Sequence, residues 1–221
     1  MIWKSALLLN LYFVRVLVLT GAGVSAESGI PTFRGKDGYW RNLDPTKLAT
    51  PEAFARGPQL VWDWYRERRQ RIRNAQPNAA HEAIAKLAKH ADDVDDLHAR
   101  AGMSAQDMVQ IHGDIFVTRC SRCEFRRFEH EHEYEQEHEI PRCSECNALM
   151  RPGVIWFGEQ LPWNELQRVE SYLDRGPCNV VIVAGTTATF GYIIDWALRA
   201  SRDGAELIET GARRDGLATN C

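Results

Sequence analysis

Continuous apolar runs alternate with helical patterns along most of the chain. Two runs, Arg15–Leu19 and Val180–Ala184, lead into glycine-containing turns, and a weaker run covers Ala205–Glu209. Unbroken runs of this length are typical of strands that are buried on both faces of a parallel sheet. Because helical patterns separate these strands, the sequence predicts a doubly wound α/β domain.

Capping residues mark where the helices begin. Thr50 followed by Pro51 is typical of a helix start, Gly57-Pro58 separates that helix from a longer one, and Asn78 is the expected cap of the next. The pattern therefore predicts several amphipathic helices. Their expected apolar stripes are Leu60, Val61, Trp64, Tyr65 and Ile72 on the longer helix, Ala80, Ile84 and Leu87 on the next, and Ile193, Ile194 and Leu198 on a helix after Gly191.

Charge and hydropathy exclude several classes of protein. The chain has 221 residues, and its 27 Lys and Arg against 30 Asp and Glu give a net charge of -3, without the basic excess of a nucleic-acid binder. No apolar run reaches the roughly 18 residues of a membrane span. The apolar start is interrupted by Asn10 and Arg15, and no signal-peptidase site follows. We therefore expect a cytoplasmic protein, and a monomer.

Four cysteines form two closely spaced pairs, Cys120-x-x-Cys123 and Cys143-x-x-Cys146, which are separated by 19 residues. Each pair puts two sulfurs on one tight turn, and two such turns complete the tetrahedron that zinc prefers. Disulfides and a redox C-x-x-C are the alternatives, and disulfides suit an oxidising compartment that no recognisable leader supports. The spacing favours one structural zinc with no open position for catalysis, in a module inserted at about 116–150.

A run of glutamates and histidines lies inside that module, from Phe128 to Glu139. Six glutamates and three histidines could form a second metal site. A charge run is more often a solvated segment between two structured turns. We favour the solvated interpretation.

A glycine-rich turn follows the first strand. Its segment Gly21-Ala22-Gly23-Val24-Ser25-Ala26 matches G-x-G-x-x-A, in which glycines let the backbone approach a pyrophosphate at a helix N-terminus. Because this short pattern also arises by chance in loops, the residues that follow it decide its meaning.

The longer run 21–35, GAGVSAESGIPTFRG, resembles the signature of the sirtuins, the NAD-dependent protein-lysine deacylases. Further family motifs occur in the family's order over roughly residues 15 to 210. They are Asp95-x-Leu97-His98 with Ala101-Gly102, His112-Gly113, the two C-x-x-C pairs, the run RPGVIWFGE at 151–159, and Gly185-Thr186-Thr187.

The resemblance implies a Rossmann-like NAD-binding domain and a smaller domain made of a helical module and a zinc ribbon. The expected limits are 1–35, 75–115 and 151–221 for the first, 36–74 for the helical module and 116–150 for the zinc-binding module. An acyl-lysine protein or peptide would enter the cleft between the domains, and NAD would be consumed as a co-substrate.

The resemblance also assigns roles to single residues. His112 would be the general base, Phe33 would guard the nicotinamide site, and Val154, Trp156 and Phe157 would lie in the backbone segment that pairs with the substrate peptide. The NAD contacts that the family pattern implies are Gly21, Ala22, Gly23, Glu27, Phe33, Arg34, Asp95, Gly185, Thr186 and Thr187.

Tyr65 and Arg68 are three residues apart and therefore share one helical face. This Tyr-x-x-Arg, with the small Ala49 opposite, resembles the branch of the family that removes succinyl, malonyl and glutaryl groups. A guanidinium beside a phenol suits a carboxylate, because it donates two parallel charge-assisted hydrogen bonds. The alternative is a solvated arginine in a helix that is rich in arginine.

The chain departs from the family pattern in two places. Asp92 and Asp93 stand where the family has Gln and Asn, and the apolar strand that normally precedes them is missing. Glu209-Thr210-Gly211 lacks the expected asparagine, and 212–221 resembles no family segment, so we expect the last adenine-contacting segment to be absent. Three functions remain open: an active deacylase, a degenerate acyl-lysine-binding protein with little NAD turnover, and a zinc-ribbon interaction protein.

Overall fold

The structure is a computed structural model, and it describes residues 14–33, 43–87, 95–128, 139–186 and 191–211. Six strands and seven α-helices lie within these ranges. The strands are β1 (Val16–Thr20), β2 (Gly113–Cys120), β3 (Arg126–Phe128), β4 (Met150–Val154), β5 (Val180–Ala184) and β6 (Glu206–Thr210). The helices are α1 (Pro45–Leu48), α2 (Pro51–Arg56), α3 (Pro58–Asn74), α4 (Ala79–Leu87), α5 (Leu97–Arg100), α6 (Trp163–Asp174) and α7 (Gly191–Arg202).

A parallel sheet with the strand order β1-β5-β6 carries helices on both faces. Leu17 and Leu19 of β1 pack with α6 and α7 on one face, and Val18 packs with Ile84 of α4 on the other. This alternation follows from the two-residue period of a strand. The predicted Rossmann-like, doubly wound α/β fold is confirmed.

A second, antiparallel sheet has the order β3-β2-β4 and packs against helix α3. Buried Arg69 of α3 donates hydrogen bonds to the carbonyls of Ile115 (2.6 Å) and Val117 (3.0 Å). The indole N–H of Trp62 donates to the Met150 carbonyl at 2.9 Å. These bonds join the helical module to the cysteine-bearing sheet. The sheet begins and ends just outside the expected module limits of 116 and 150.

The predicted helix starts agree with the structure, and hydrogen bonds from the capping side chains explain why. The Thr50 side chain accepts the Ala53 N–H at 3.0 Å, and Asn78 Oδ1 accepts the Ala80 N–H at 2.9 Å. Gly57-Pro58 separates α2 from α3, as expected. Each cap satisfies a main-chain donor that the helix itself leaves unpaired.

Several predicted apolar positions are wrong. Leu60, Leu87, Ile194 and Leu198 are exposed, and so is Ala80. The other predicted positions are buried as expected, namely Val61, Trp64, Tyr65 and Ile72 on α3, Ile84 on α4 and Ile193 on α7. The structure also buries His81 of α4 and Trp196, Ala197 and Ala200 of α7, which were not predicted. Strand β6, at the edge of the described sheet, is exposed along its length. The strands β1 and β6 also begin one residue later than predicted.

Some predictions concern residues outside the described ranges. These are Arg34, Thr187, the acidic pair Asp92 and Asp93 with the missing strand, most of the glutamate and histidine run, and the segments 1–13 and 212–221. Within the described residues, none of the helices combines the length and the apolar character needed to cross a bilayer.

Candidate active site

The loop that follows β1 packs directly on the loop that follows β5. The Gly23 N–H donates to the Gly185 carbonyl at 2.8 Å, and a Cβ on Gly23 would lie only 2.5 Å from that oxygen. Gly185 has a φ of +62°, and a Cβ there would lie 2.2 Å from the Val24 nitrogen. Any side chain at either position would therefore push the two loops apart.

The tip of the first loop offers a main-chain donor. Gly21 and Gly23 donate their N–H groups to Ala184 and Gly185, whereas the Ala22 N–H between them donates to no group of the residues described. The loop continues into a single 3₁₀ turn at Ala26–Ser28, so the helix N-terminus expected from the motif is limited to this one turn. Since one turn carries little dipole, main-chain N–H groups are what this loop can offer a pyrophosphate.

A buried polar cluster supports the same loop from below. Ser25 Oγ lies 3.2 Å from His81 Nε2, and Asn78 Nδ2 donates to the Val24 carbonyl at 2.8 Å. The rings of His81 and His98 lie 4.9 Å apart, and both are fully buried. Asp95, a predicted NAD contact, is also buried and accepts the Leu97 N–H at 3.3 Å.

Both histidines of this cluster are held in the neutral form. Burial lowers the pKa of His81, although the charge of Asp95 opposes the shift. Burial and the neighbouring His81 lower the pKa of His98 to about 4. At neutral pH the two rings therefore act as hydrogen-bonding and packing groups, and neither is a proton carrier.

His112 lies at the junction of three elements. It immediately precedes β2, and its carbonyl accepts the Ile155 N–H at 2.8 Å, just after β4. Its half-buried imidazole reaches α7, where Nε2 lies 2.6 Å from the hydroxyl of Tyr192. The predicted general base is thus fixed on one side to the expected peptide-binding segment and on the other to the helix after Gly185.

The segment from Val154 to Phe157 is clamped from both ends. Glu159 accepts the Trp156 N–H at 2.7 Å and pairs with Arg151 through both carboxylate oxygens, at 2.5 and 2.8 Å. The Phe157 N–H donates to the Ala49 carbonyl at 2.9 Å. A peptide strand that paired with these same N–H groups would first have to open one of these bonds.

The charge of Glu159 is stabilised by its partners. Burial acts to raise the pKa of this carboxyl, but the hydrogen bonds from Arg151 and Trp156 and the charge of Arg119 together hold it below its ordinary value. The Arg151 guanidinium also lies 3.4 Å from the centroid of the Trp156 ring. Glu159 is therefore ionised at neutral pH. Together, Glu159 and Arg151 hold both the main chain and the indole ring of Trp156.

The residues predicted for acyl recognition cluster beside this segment. The Trp156 indole N–H donates to the hydroxyl of buried Tyr65 at 2.9 Å, and burial raises the pKa of that phenol. Arg68 donates to the Pro31 carbonyl at 2.9 Å and lies 4.3 Å from the centroid of the Phe33 ring. The structure thus brings Tyr65, Arg68, Phe33 and Ala49 to one region.

The four predicted zinc ligands also converge. The Sγ atoms of Cys120 and Cys146 lie 3.4 Å apart, those of Cys123 and Cys143 lie 3.6 Å apart, and all four lie within 4.8 Å of one another. These separations exceed a disulfide bond and approach the roughly 3.8 Å between ligands of a tetrahedral zinc thiolate. Main-chain N–H groups of Arg122 and Cys123 point at Cys120 Sγ. The set fits one structural zinc.

Comparison with known proteins identifies the family. The model of the Sir2 family matches residues 21–190, which include the glycine loops, His112 and all four cysteines. The chain belongs to the Sir2 family. It is 44% identical to NAD-dependent protein deacylase 1 of Archaeoglobus fulgidus, over 88% of this chain and 80% of the relative. It is 42% identical to the NAD-dependent protein deacylase of Aquifex aeolicus, over 89% and 82%.

Solved Sir2 structures share the fold and carry ligands. A Sir2 homologue in complex with NAD superposes with a TM-score of 0.79 at 43% identity, covering 88% of this chain and 77% of the other. A mutant Sir2 homologue in complex with 2′-O-acetyl-ADP-ribose gives 0.80 at 42% identity, covering 88% and 79%. A Sir2 protein with a deacetylated p53 peptide and 3′-O-acetyl-ADP-ribose gives 0.74 at 28%, covering 88% and 80%.

Three features of this Sir2 chain were not predicted as functional. The Ser25–Asn78–His81 cluster is signalled only by the spacing of a helix cap. Arg151 and Glu159 lie within a recognised motif, but nothing in the motif says that they pair. Tyr192 is 80 residues from His112 in sequence and shares no pattern with it.

Proposed function

We propose that this Sir2-family chain removes acyl groups from protein lysines in an NAD-dependent reaction that yields nicotinamide and O-acyl-ADP-ribose. The names of its relatives support the enzyme class. We extend the proposal to succinyl and malonyl groups as well as acetyl. The substrate cleft is assigned between the Rossmann-like domain (1–35, 75–115 and 151–221) and the small domain (36–74 and 116–150).

The position of His112 is the observation that carries the proposal. A main-chain bond ties it to Ile155 in the expected peptide-binding segment. The following segment is tied to Ala49, beside Tyr65 and Arg68. The imidazole itself reaches α7, which follows the Gly185 loop. A base in this position lies between the acyl-lysine and the cosubstrate, both of which the reaction requires.

The remaining residues hold the two substrates. Bound NAD supplies an electrophilic ribose carbon, with nicotinamide as the leaving group, for attack by the acyl carbonyl oxygen. Gly21, Ala22 and Gly23 with Gly185, Thr186 and Thr187 would hold the phosphates and ribose, together with Glu27, Arg34 and Asp95. Phe33 would exclude water from the nicotinamide site. His112 would then accept a proton from a ribose hydroxyl.

The acyl preference rests on Tyr65 and Arg68. Their side chains lie on one face of α3, next to the Trp156 indole and the Phe33 ring. A succinyl carboxylate in this region would meet a guanidinium and a phenol, whereas an acetyl group would need neither. The small Ala49 would leave room for the longer acyl chain.

Four cysteines at zinc-ligand distances, and not in disulfides, suit a reducing compartment, where thiols stay available as metal ligands. This supports the cytoplasm as the place of action. We also propose that the protein acts as a monomer.

The deciding experiment is mass spectrometry of matched acetyl-lysine and succinyl-lysine peptides incubated with the protein and NAD. We expect both peptides to lose their acyl groups with stoichiometric release of nicotinamide. His112→Ala should abolish the release and leave peptide binding largely intact. Peptide binding without turnover by the wild-type protein would refute the proposal and indicate a degenerate binding protein.

A further inference from the structure

Tyr192 contacts the imidazole of the expected base. Its hydroxyl lies 2.6 Å from His112 Nε2, the ring nitrogen farthest from the main chain. That distance is short for a hydrogen bond between oxygen and nitrogen. The contact joins α7 to the start of β2, and therefore to the peptide-binding segment that His112 holds through Ile155.

The phenol is held in this position by its neighbours. The Tyr192 and Trp196 rings lie one helical turn apart on α7, with centroids 5.5 Å apart. The Trp196 indole N–H donates to Glu170 of α6 at 2.6 Å, and Arg199 donates to the other oxygen of Glu170 at 2.6 Å. Glu170 therefore fixes Trp196, and Trp196 packs against the Tyr192 ring that reaches the imidazole.

A general base uses the lone pair of a ring nitrogen to accept the proton of the reacting hydroxyl. A neutral imidazole has one such lone pair, and a phenol O–H that donates to it occupies it. A ribose hydroxyl that approaches Nε2 therefore competes with the Tyr192 hydroxyl for the same acceptor.

We propose that Tyr192 is a gate on His112: its hydroxyl holds Nε2 while the cosubstrate site is empty and is displaced when a ribose hydroxyl binds there. This inference rests on the proposed role of His112 as the base. Tyr192 is a positioning residue, because it acts through the imidazole and on no reacting atom. The contact of Tyr192 with His112 therefore weakens cosubstrate binding but does not slow the chemical step.

The test is a double-mutant cycle on the affinity for ADP-ribose, which carries the relevant ribose hydroxyls and requires no turnover. Calorimetry would compare the wild-type protein with Tyr192→Phe, His112→Ala and the double variant. Removing one competing hydrogen bond should tighten ADP-ribose binding about two- to tenfold. In the His112→Ala background Tyr192→Phe should change nothing, because the contested nitrogen is gone.

The matched control is Tyr172→Phe, which removes a hydroxyl that donates to the Val16 carbonyl at 3.0 Å and does not touch the site. It should leave the ADP-ribose affinity unchanged. In ¹⁵N-histidine spectra, the wild-type His112 should show one tautomer, with the lone pair on Nε2, and Tyr192→Phe should show a mixture.

Kinetics give a second readout. Tyr192→Phe should lower KM for NAD by the same factor and leave kcat undiminished. The gate would be overturned if Tyr192→Phe lowered kcat, or if it left the ADP-ribose affinity unchanged or weaker. An equal gain in affinity in the His112→Ala background would overturn it as well. If the wild-type protein releases no nicotinamide, the proposed function fails, whereas the binding cycle still tests the gate separately.

Discussion

Asp96 is a single residue in an unfavourable conformation. It has a φ of +61°, in the left-handed region that aspartate and asparagine enter more often than other non-glycine residues but less favourably than glycine, and it caps α5 without a side-chain hydrogen bond. Arg100 lies 3.7 Å from its Oδ1, which is an ion-pair distance but too long for a hydrogen bond. Burial, with the charges of Asp95 and Asp114, raises its pKa to about 6, although Arg100 opposes the shift.

We therefore predict that Asp96→Gly raises the free energy of unfolding at pH 7.5 by about 1 kcal/mol. Because folding raises the pKa of this acid, the wild-type protein loses stability as the pH rises from about 4 to about 6. Asp96→Asn tolerates the same φ without the charge, so its gain should exist above pH 6 and vanish below pH 4. Urea unfolding at both pH values measures this. Lower stability of both variants at pH 7.5 would show that the carboxylate is favourable.

Arg68 tests the acyl preference at the same scale. Arg68→Met should lower kcat/KM for a succinyl-lysine peptide about ten- to a hundredfold relative to an acetyl-lysine peptide, because only the succinyl carboxylate needs the guanidinium. Competition between the two peptides, followed by mass spectrometry, gives the ratio directly.

The control for Arg68 lies on the same helix. Arg71 is exposed and pairs with Glu67 at 2.7 Å, so Arg71→Met changes the charge of α3 equally without touching the site. It should leave the ratio of the two activities unchanged. Equal losses on both peptides in Arg68→Met would mean that Arg68 serves only to hold the Pro31 loop.

Single residues also show where sequence reasoning stops. His112 and the four cysteines could be found because each belongs to a local motif whose chemistry fixes its residue types. The contact of His112 with Tyr192, and the pairing of His81 with His98, depend on elements that are far apart in sequence. No local pattern encodes such contacts, because the packing of α4 on α5 and the approach of α7 to the residue before β2 create them.

At the scale of elements, the zinc-binding turns stabilise the antiparallel sheet, which has only three strands among the described residues. Cys120 ends β2, and Cys143 and Cys146 precede β4. One metal would therefore tie the end of β2 to the turn that leads into β4. Because β3 has only three residues, a metal that fixes the turns on either side of it would add to the stability of this sheet. Arg69 and Trp62 then carry the same constraint to helix α3.

We predict one tightly bound zinc per chain, and loss of stability when a strong chelator removes it. The melting temperature should fall, and hydrogen exchange should rise in β2, β3 and β4 before it rises in β1 and β5, because the parallel sheet has its own core. Elemental analysis gives the stoichiometry. Well-folded, active protein with far less than one zinc would contradict the structural role.

Elements were predicted better at their ends than on their faces. Helix starts follow from caps such as Thr50 and Asn78, which act through hydrogen bonds within one turn. Which face is buried depends on the partner. His81 is fully buried because Ser25 and His98 lie against it, whereas Leu87 of the same helix is exposed. A count of apolar residues therefore found Ile84 and Ile193, which are buried, but it added exposed positions to both stripes and missed His81 and Trp196.

At the scale of the whole molecule, two packed units meet at the site. The glycine loops follow β1 and β5 of the parallel sheet, whereas the pair of Arg151 and Glu159 lies at β4 of the antiparallel sheet, and Tyr65 and Arg68 lie on α3. The shared fold with NAD-bound Sir2 structures and the complete set of cysteines agree with the expectations from sequence. The order of the motifs along the chain was enough to predict the fold class. The limits of the two domains stay a prediction, and the stretch 151–154, which was expected in the Rossmann-like domain, pairs with β2 of the antiparallel sheet.

Turnover by the whole enzyme should nevertheless be limited by Asp92 and Asp93, which stand where the family pattern has Gln and Asn. A carboxylate cannot donate the hydrogen bonds that amides provide at the nicotinamide end of the cosubstrate. We expect the wild-type kcat to lie below about 1 s⁻¹ and the double variant Asp92→Gln/Asp93→Asn to raise it about tenfold. Nicotinamide release at saturating NAD and peptide measures both.

Two exposed acids provide the control for net charge. The double variant Asp203→Asn/Glu206→Gln, after α7 and at the start of β6, removes the same two negative charges from exposed positions and should leave kcat unchanged. If the amides raise kcat and KM for NAD falls with it, the carboxylates act on the bound cosubstrate and not on folding. A wild-type kcat above about 1 s⁻¹, with no gain from the amide variants, would mean that another group of this chain donates the hydrogen bonds to nicotinamide.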